Sequence, residues 1–166
     1  LPEVVVNTTS AGEHVGDIER HIRTVKERGR GLTNTLPYTR MPPRMVLELI
    51  YFCVMWLNAV PNKNGISEEY SPREVVVRQR LSYKKHCQVP FGAYCEVFED
   101  RDRTNTMDSQ TRAAISLGPM GNMQGTYKFL CLNTNNVIKR RQFKELPMLE
   151  SVIKKVKEMG KEGTAG

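Results

Sequence analysis

Ile18, Ile22 and Val25 recur at i, i+4 and i+7 within a charged stretch, which predicts an amphipathic helix over residues 17–28. Gly29 and Gly31 predict its end. A second helix is expected over residues 44–59, with Val46, Leu49, Ile50, Cys53, Trp56 and Leu57 as its inner stripe. Phe52 and Met55 make that segment apolar almost all round, which calls for cover on more than one side. Ser71-Pro72-Arg73-Glu74 has the signature of a helix start: Ser71 at the N-cap, Pro72 at N1 and Glu74 reaching back in a capping box. That helix should be short, ending near Arg78.

Upstream, the β-branched run Val4-Val5-Val6 predicts a strand. From Cys87 onward the texture changes. Strands are expected over residues 90–98, 113–117, 127–132 and 137–143, with residues 99–111 as a charged loop. Gly118-Pro119 closes one strand, and residues 121–125 form a turn. Asn133-Thr134-Asn135-Asn136 predicts a hairpin, because asparagine tolerates positive φ. Short strands with tight turns point to a small antiparallel β-barrel. Leu149, Val152, Ile153 and Val156 give a closing helix that should stop at Gly160. The fold class expected is α+β, in two units: a helical region over residues 1–86, and a β-barrel with a C-terminal helix over residues 87–166.

Composition narrows the function classes. The chain has 166 residues, 39% apolar and 26% charged, the balance of a globular domain with a real core. The aromatic share of 7% is too small for a large aromatic cofactor box. A net charge of +7 fits a nucleic acid, an acidic protein or a membrane surface as partner. The apolar stretch over residues 45–60 carries Glu48 and Asn58 and falls short of the roughly twenty residues that span a bilayer. It therefore predicts a buried helix, and no membrane partner is expected. Cys53, Cys87, Cys95 and Cys131 lack the spacing of a zinc knuckle or a redox pair and are expected as reduced thiols in an intracellular protein. The start at Leu1, with no methionine, suggests a piece of a longer protein.

The first helix carries the most specific chemistry. Glu19, Arg23, Lys26 and Arg30 fall at i, i+4, i+7 and i+11, on one face beside the apolar stripe. An acid followed by a row of cations suits a phosphate backbone: the cations hold the polyanion and the acid can hold a metal at the scissile phosphate. The plainer reading is a solvated face with an i,i+4 ion pair worth about 0.3 kcal/mol.

The run Glu13-His14-Val15-Gly16-Asp17-Ile18-Glu19-Arg20-His21-Ile22-Arg23-Thr24-Val25-Lys26-Glu27-Arg28 resembles the end of the integrase catalytic core in copia-type retrotransposon polyproteins. Ala59-Val60-Pro61-Asn62-Lys63-Asn64-Gly65-Ile66-Ser67 and Tyr70-Ser71-Pro72-Arg73-Glu74 are similar to the downstream helices of that family. Phe91-Gly92-Ala93-Tyr94, Ser116-Leu117-Gly118-Pro119, Gly125-Thr126-Tyr127 and Glu145-Leu146-Pro147-Met148 resemble the small barrel after its core. The likeness runs in consistent order over roughly residues 4–156.

This resemblance implies an incomplete ribonuclease-H-like core, with one strand and about three helices, followed by the barrel. It implies an Asp-Asp-Glu polynucleotidyl transferase in which magnesium ions activate the attacking oxygen and stabilise the leaving one. Glu19 matches the third carboxylate and would be a metal ligand. Arg23 and Lys26 match the basic positions that touch the DNA ends. The two aspartates of the family precede this chain. One carboxylate cannot hold two magnesium ions, so no strand transfer is expected from the chain alone. The second helix should also lack the sheet it packs on, leaving an apolar patch that favours self-association or instability.

Further cations extend the expected DNA surface: Arg30 on the first helix, Arg78, Arg80, Lys84 and Lys85 before the barrel, and Lys139 and Arg141 on a strand. The plainer reading of the last pair is protection of an edge strand. Three functions follow: a retrotransposon integrase fragment with DNA and the rest of the polyprotein as partners, in the nucleus or the element's particle; a non-enzymatic DNA- or chromatin-binding module of the same origin; or an interaction domain whose charge only aids solubility.

Overall fold

In the computed structural model, the structure describes residues 15–63, 65, 67–98 and 111–162. The expected strand at Val4-Val5-Val6 and nearly all of the 99–111 loop lie outside them. The first helix, α1 (Gly16–Thr35), runs straight through Gly29 and Gly31, which were expected to end it. The reason is tertiary. Leu32 and Leu36 pack against the core beyond the glycines, and Gly29 lies against Leu49.

Helix α2 (Pro43–Leu57) starts with Pro43 in its first turn, where a missing N–H costs nothing. Its buried stripe is Met45, Leu49 and Cys53, rotated from the expected one. Val46 and Ile50, placed inside by the sequence pattern, are exposed. The helix packs on a sheet along one side only, so an all-round apolar segment cannot specify which stripe is covered. Helix α3 (Pro72–Val77) forms with the expected capping box. The Glu74 N–H donates to Ser71 Oγ at 3.2 Å, and the Ser71 N–H donates to Glu74 Oε2 at 2.9 Å. A single-turn helix, α4 (Tyr83–His86), follows and was not foreseen.

The strands are β1 (Tyr94–Phe98), β2 (Thr111–Pro119), β3 (Tyr127–Cys131), β4 (Val137–Arg140) and β5 (Phe143–Glu145). They make one antiparallel sheet in the order β4-β3-β2-β1-β5. The single strand expected over residues 137–143 is two strands. A corner at Arg141 and Gln142 carries the chain from one edge of the sheet to the other. The sheet is therefore curled, but it is not the closed barrel expected: β4 and β5 have no ladder between them. Consecutive strands joined through a corner at opposite edges have no hairpin in which to pair.

The curl encloses Tyr127, Phe129 and Phe143, whose ring centroids are 5.0 to 6.3 Å apart, together with Val97 and Cys95. Alternate residues Ile115, Leu117, Leu130 and Leu132 face the opposite side. There they meet Met45, Leu49 and Cys53 of α2, and Val152, Val156 and Met159 of α5 (Glu150–Glu162). This core draws on residues from both sides of position 86. Gly118, at φ +91°, sits at the β2 register shift against the Phe52 ring, where a side chain has no room.

Candidate nucleic-acid interface

Helix α1 owes its form to its apolar stripe and to acids in its first turn, Asp17 and Glu19, which suit the positive end of the helix dipole. Its N-cap, Val15, supplies no side-chain bond, and none of its twenty residues is buried. Asp17 and Arg20 pair at 3.9 Å with both side chains largely in water, a contact worth little.

The continuous helix puts Glu19, Arg23, Lys26 and Arg30 on one exposed flank. The row covers about 16 Å at the helical rise. Extension past the glycines matters here, because Arg30 belongs to regular helix and keeps its place in the row. Beside the row lies an open groove of about 800 Å³ between α1 and α2. Ile18, Ile22, Val25, Val46, Leu49 and Ile50 line it, with Lys26, Arg30 and His21 at its margin. Contrary to expectation the second helix does have a sheet to pack on, through Met45, Leu49 and Cys53; what stays open is its other side, where exposed Val46 and Ile50 share an apolar floor with α1.

The remaining expected contacts are exposed along the α3–α4 segment and at the end of β4. Arg78 caps α3 in the left-handed region at φ 54°. Arg80 Nε lies 3.4 Å from Glu74 Oε1, and Lys85 Nζ donates to the Met123 carbonyl at 3.1 Å. Lys84 and Lys85 both lie on α4. Lys139 is on the edge strand β4, whereas Arg141 lies past its end, so strand alternation does not place the two on one face. Lys139 and Arg141 are both exposed.

Other cations are engaged in holding the fold. Lys128 pairs with Glu48 at 2.7 Å. Arg73 donates to the Gly121 carbonyl at 2.6 Å. Arg44 Nη1 donates at 3.1 Å to the Asn135 carbonyl and to Asn136 Oδ1 in the β3–β4 turn. Tyr127 is buried and accepts from the Gln88 N–H at 2.9 Å, while Tyr83 is exposed. His86 is buried, with Nδ1 2.9 Å from both the N–H and the carbonyl oxygen of Ser82 and Nε2 2.9 Å from the Asn122 carbonyl oxygen.

Among the described residues, no three His, Cys, Asp or Glu side chains stand together as a metal site. Asp17 lies two residues from Glu19, about 200° around the helix, and does not share its flank. The described residues do not fit a two-magnesium centre, and no catalytic step follows from Glu19 alone. Among the described residues, no helix is long and apolar enough to cross a membrane. Comparison with family models, curated proteins and solved structures gives no match.

Proposed function

We propose that this chain is part of a copia-type retrotransposon integrase, the end of a ribonuclease-H-like catalytic core with the sheet region that follows it. On this reading it supplies DNA-contacting surfaces and, through Glu19, one carboxylate of the Asp-Asp-Glu set. The supporting observation is the exposed row Glu19, Arg23, Lys26, Arg30 on a single uninterrupted helix. The cations would contact backbone phosphates without regard to sequence. A duplex offers one charge per roughly 1.7 Å of axis, so a row of this length meets several phosphates. Magnesium would belong to the intact enzyme, whose other two carboxylates lie outside this chain.

The second reading is a DNA- or chromatin-binding module without catalysis. It is favoured, for the chain alone, by the lack of a metal-holding cluster among the described residues. Both readings expect duplex binding by the same row. Fluorescence anisotropy with a labelled duplex, titrated over a range of salt, tests it. Affinity should fall steeply as salt rises. Arg23→Ala with Lys26→Ala should weaken binding to all sequences alike and reduce the log–log salt slope by about 2. Glu19→Gln should not weaken it, since removing an acid lessens repulsion. Equal binding by the double variant refutes the row. Joining the chain to an upstream segment that carries two aspartates, then assaying magnesium-dependent strand transfer with and without Glu19→Gln, separates enzyme from module.

A further inference from the structure

We propose that Ser82 is a phosphoacceptor, modified by a serine kinase whose substrate groove is acidic. Its hydroxyl is available. Ser82 is exposed, its backbone is extended at φ −96° and ψ 126°, and residues 78–82 lie in neither helix nor strand. Although Ser82 precedes α4, its side chain makes no capping bond. Its main chain is held to His86, whose Nδ1 lies 2.9 Å from both the N–H and the carbonyl oxygen, so the hydroxyl stands at a fixed place on the surface. Other described serines are engaged or enclosed. Ser71 and Ser116 are buried, Ser67 Oγ accepts from the Glu69 and Tyr70 N–H groups, and Ser151 lies within α5. Thr24 has as many cations within four residues of it, but it donates to the Arg20 carbonyl at 3.0 Å inside α1, and a kinase cleft takes an extended chain.

Charge selects the class of enzyme. Arg78 and Arg80 precede Ser82, Lys84 and Lys85 follow it, and no acid lies within four residues on either side. All four cations are exposed. The Glu74 carboxylate is already engaged, Oε2 by Ser71 and Oε1 by Arg80 at 3.4 Å, and the Arg80 side chain is still 79% exposed. An acidic groove complements this segment, and a basic one is repelled by it. In the step, Ser82 Oγ attacks the γ-phosphorus of ATP. The Oγ–P bond forms as the bond from that phosphorus to the β,γ-bridging oxygen breaks, ADP leaves, and the hydroxyl proton passes to the kinase's base. The product carries a charge of about −1.5 to −2 at neutral pH. On the DNA reading, that charge offsets about two of the cations Arg80, Lys84 and Lys85, so a bound duplex is released. This consequence rests on the DNA reading; the modification itself does not.

The test incubates the folded whole chain, without DNA, with ATP, magnesium and the catalytic domain of protein kinase C, which prefers basic flanks. Phosphopeptide mass spectrometry locates the phosphate. Ser82 should be modified, and Ser82→Ala should remove that signal. Arg80→Ala with Lys84→Ala should slow incorporation at Ser82 about tenfold, with an unchanged circular dichroism spectrum because both side chains are exposed. An acid-directed casein kinase should leave Ser82 unmodified. No phosphate on Ser82 of the native chain overturns the proposal. So does incorporation only after unfolding in urea, or at an equal rate in the double variant. The phosphorylated and unmodified chains are then compared by duplex anisotropy at low salt, where phosphorylation should weaken binding about tenfold. Equal binding by the two forms overturns the release. A chain modified at Ser82 that binds no duplex in either form overturns the DNA reading and upholds the modification site.

Discussion

Lys128 on β3 reaches across to Glu48 on α2, Nζ to Oε2 at 2.7 Å, and the ammonium also lies 5.7 Å from the centre of the Tyr51 ring. Both side chains of the pair are mostly buried, at 25% and 15% exposure. The contact fixes how α2 lies on the sheet, and with it one wall of the groove. Lys128→Ala leaves a half-buried carboxylate without its partner and should cost about 1–3 kcal/mol. Lys128→Met with Glu48→Gln should cost less than either single change summed with the other. A double-mutant cycle by urea denaturation measures the coupling, which high salt should reduce only in part.

The helix glycines divide by what surrounds them. A Cβ at Gly31 meets nothing within 4 Å, so Gly31→Ala should stabilise the protein by about 0.5–1 kcal/mol through helix propensity. A Cβ at Gly160 would stand 2.9 Å from Arg40 Cγ and 3.1 Å from the Met41 carbonyl carbon. Backbone cannot retreat as a flexible side chain can, so Gly160→Ala should destabilise despite the same propensity gain. Thermal melts of the two variants should move in opposite directions.

The thiols should separate by access. Cys87 is exposed, whereas Cys53, Cys95 and Cys131 are buried. Burial, with the Glu145 charge adding to it, pushes the Cys95 thiol up to about 12. Burial also acts on Cys131. There it is outweighed by hydrogen bonds from the Thr134 side chain and from the Asn133 and Thr134 N–H groups, and the thiol ends below its ordinary value. Because Cys131 has no exposed surface, that acidity should not make it reactive in the folded state. Brief alkylation followed by peptide mass spectrometry should find Cys87 modified first and the other three only after denaturation.

Acid should loosen α3 first at its cap. The backbone and hydroxyl hydrogen bonds of Ser71 hold the Glu74 carboxyl below the usual carboxylate range, with Arg80 assisting. A carboxyl with a depressed folded pKa stabilises above its unfolded pKa, and that contribution is lost as pH falls through the folded one. Amide exchange in α3 should therefore rise, relative to the sheet, as pH drops through the carboxylate range. Glu74→Gln should remove that pH dependence, because the amide oxygen still accepts from Ser71 but does not titrate.

The buried Tyr38 hydroxyl donates to the Gly92 carbonyl at 2.8 Å, joining the segment after α1 to the turn before β1. Burial raises the Tyr38 pKa well above its ordinary value, so the group stays a donor. Tyr38→Phe should cost about 1–2 kcal/mol by leaving that carbonyl unpaired, read as a lower urea midpoint at unchanged slope.

Local chemistry was legible. Ser71 and Glu74 announced their helix four residues at a time, because both capping bonds close within one turn. The asparagine-rich hairpin formed with Asn135 at φ 53°, the conformation its side chain tolerates. The row Glu19, Arg23, Lys26, Arg30 could be read from spacing alone, since helical periodicity fixes a face without reference to anything distant. The groove beside it could be read only in part. Its apolar residues were visible, but which of them would be covered depended on where α2 met the sheet.

The sequence by itself determined the α+β class, the positions of its main helices and strands, and the exposed cation row, all set by interactions among near neighbours. Tertiary structure decided where α1 ended, which stripe of α2 was buried, and that residues 137–145 bend from one sheet edge to the other. Those outcomes depend on contacts between residues far apart in sequence, such as Leu49 against Gly29 and β5 against β1, whose pairing no short window of the chain can specify.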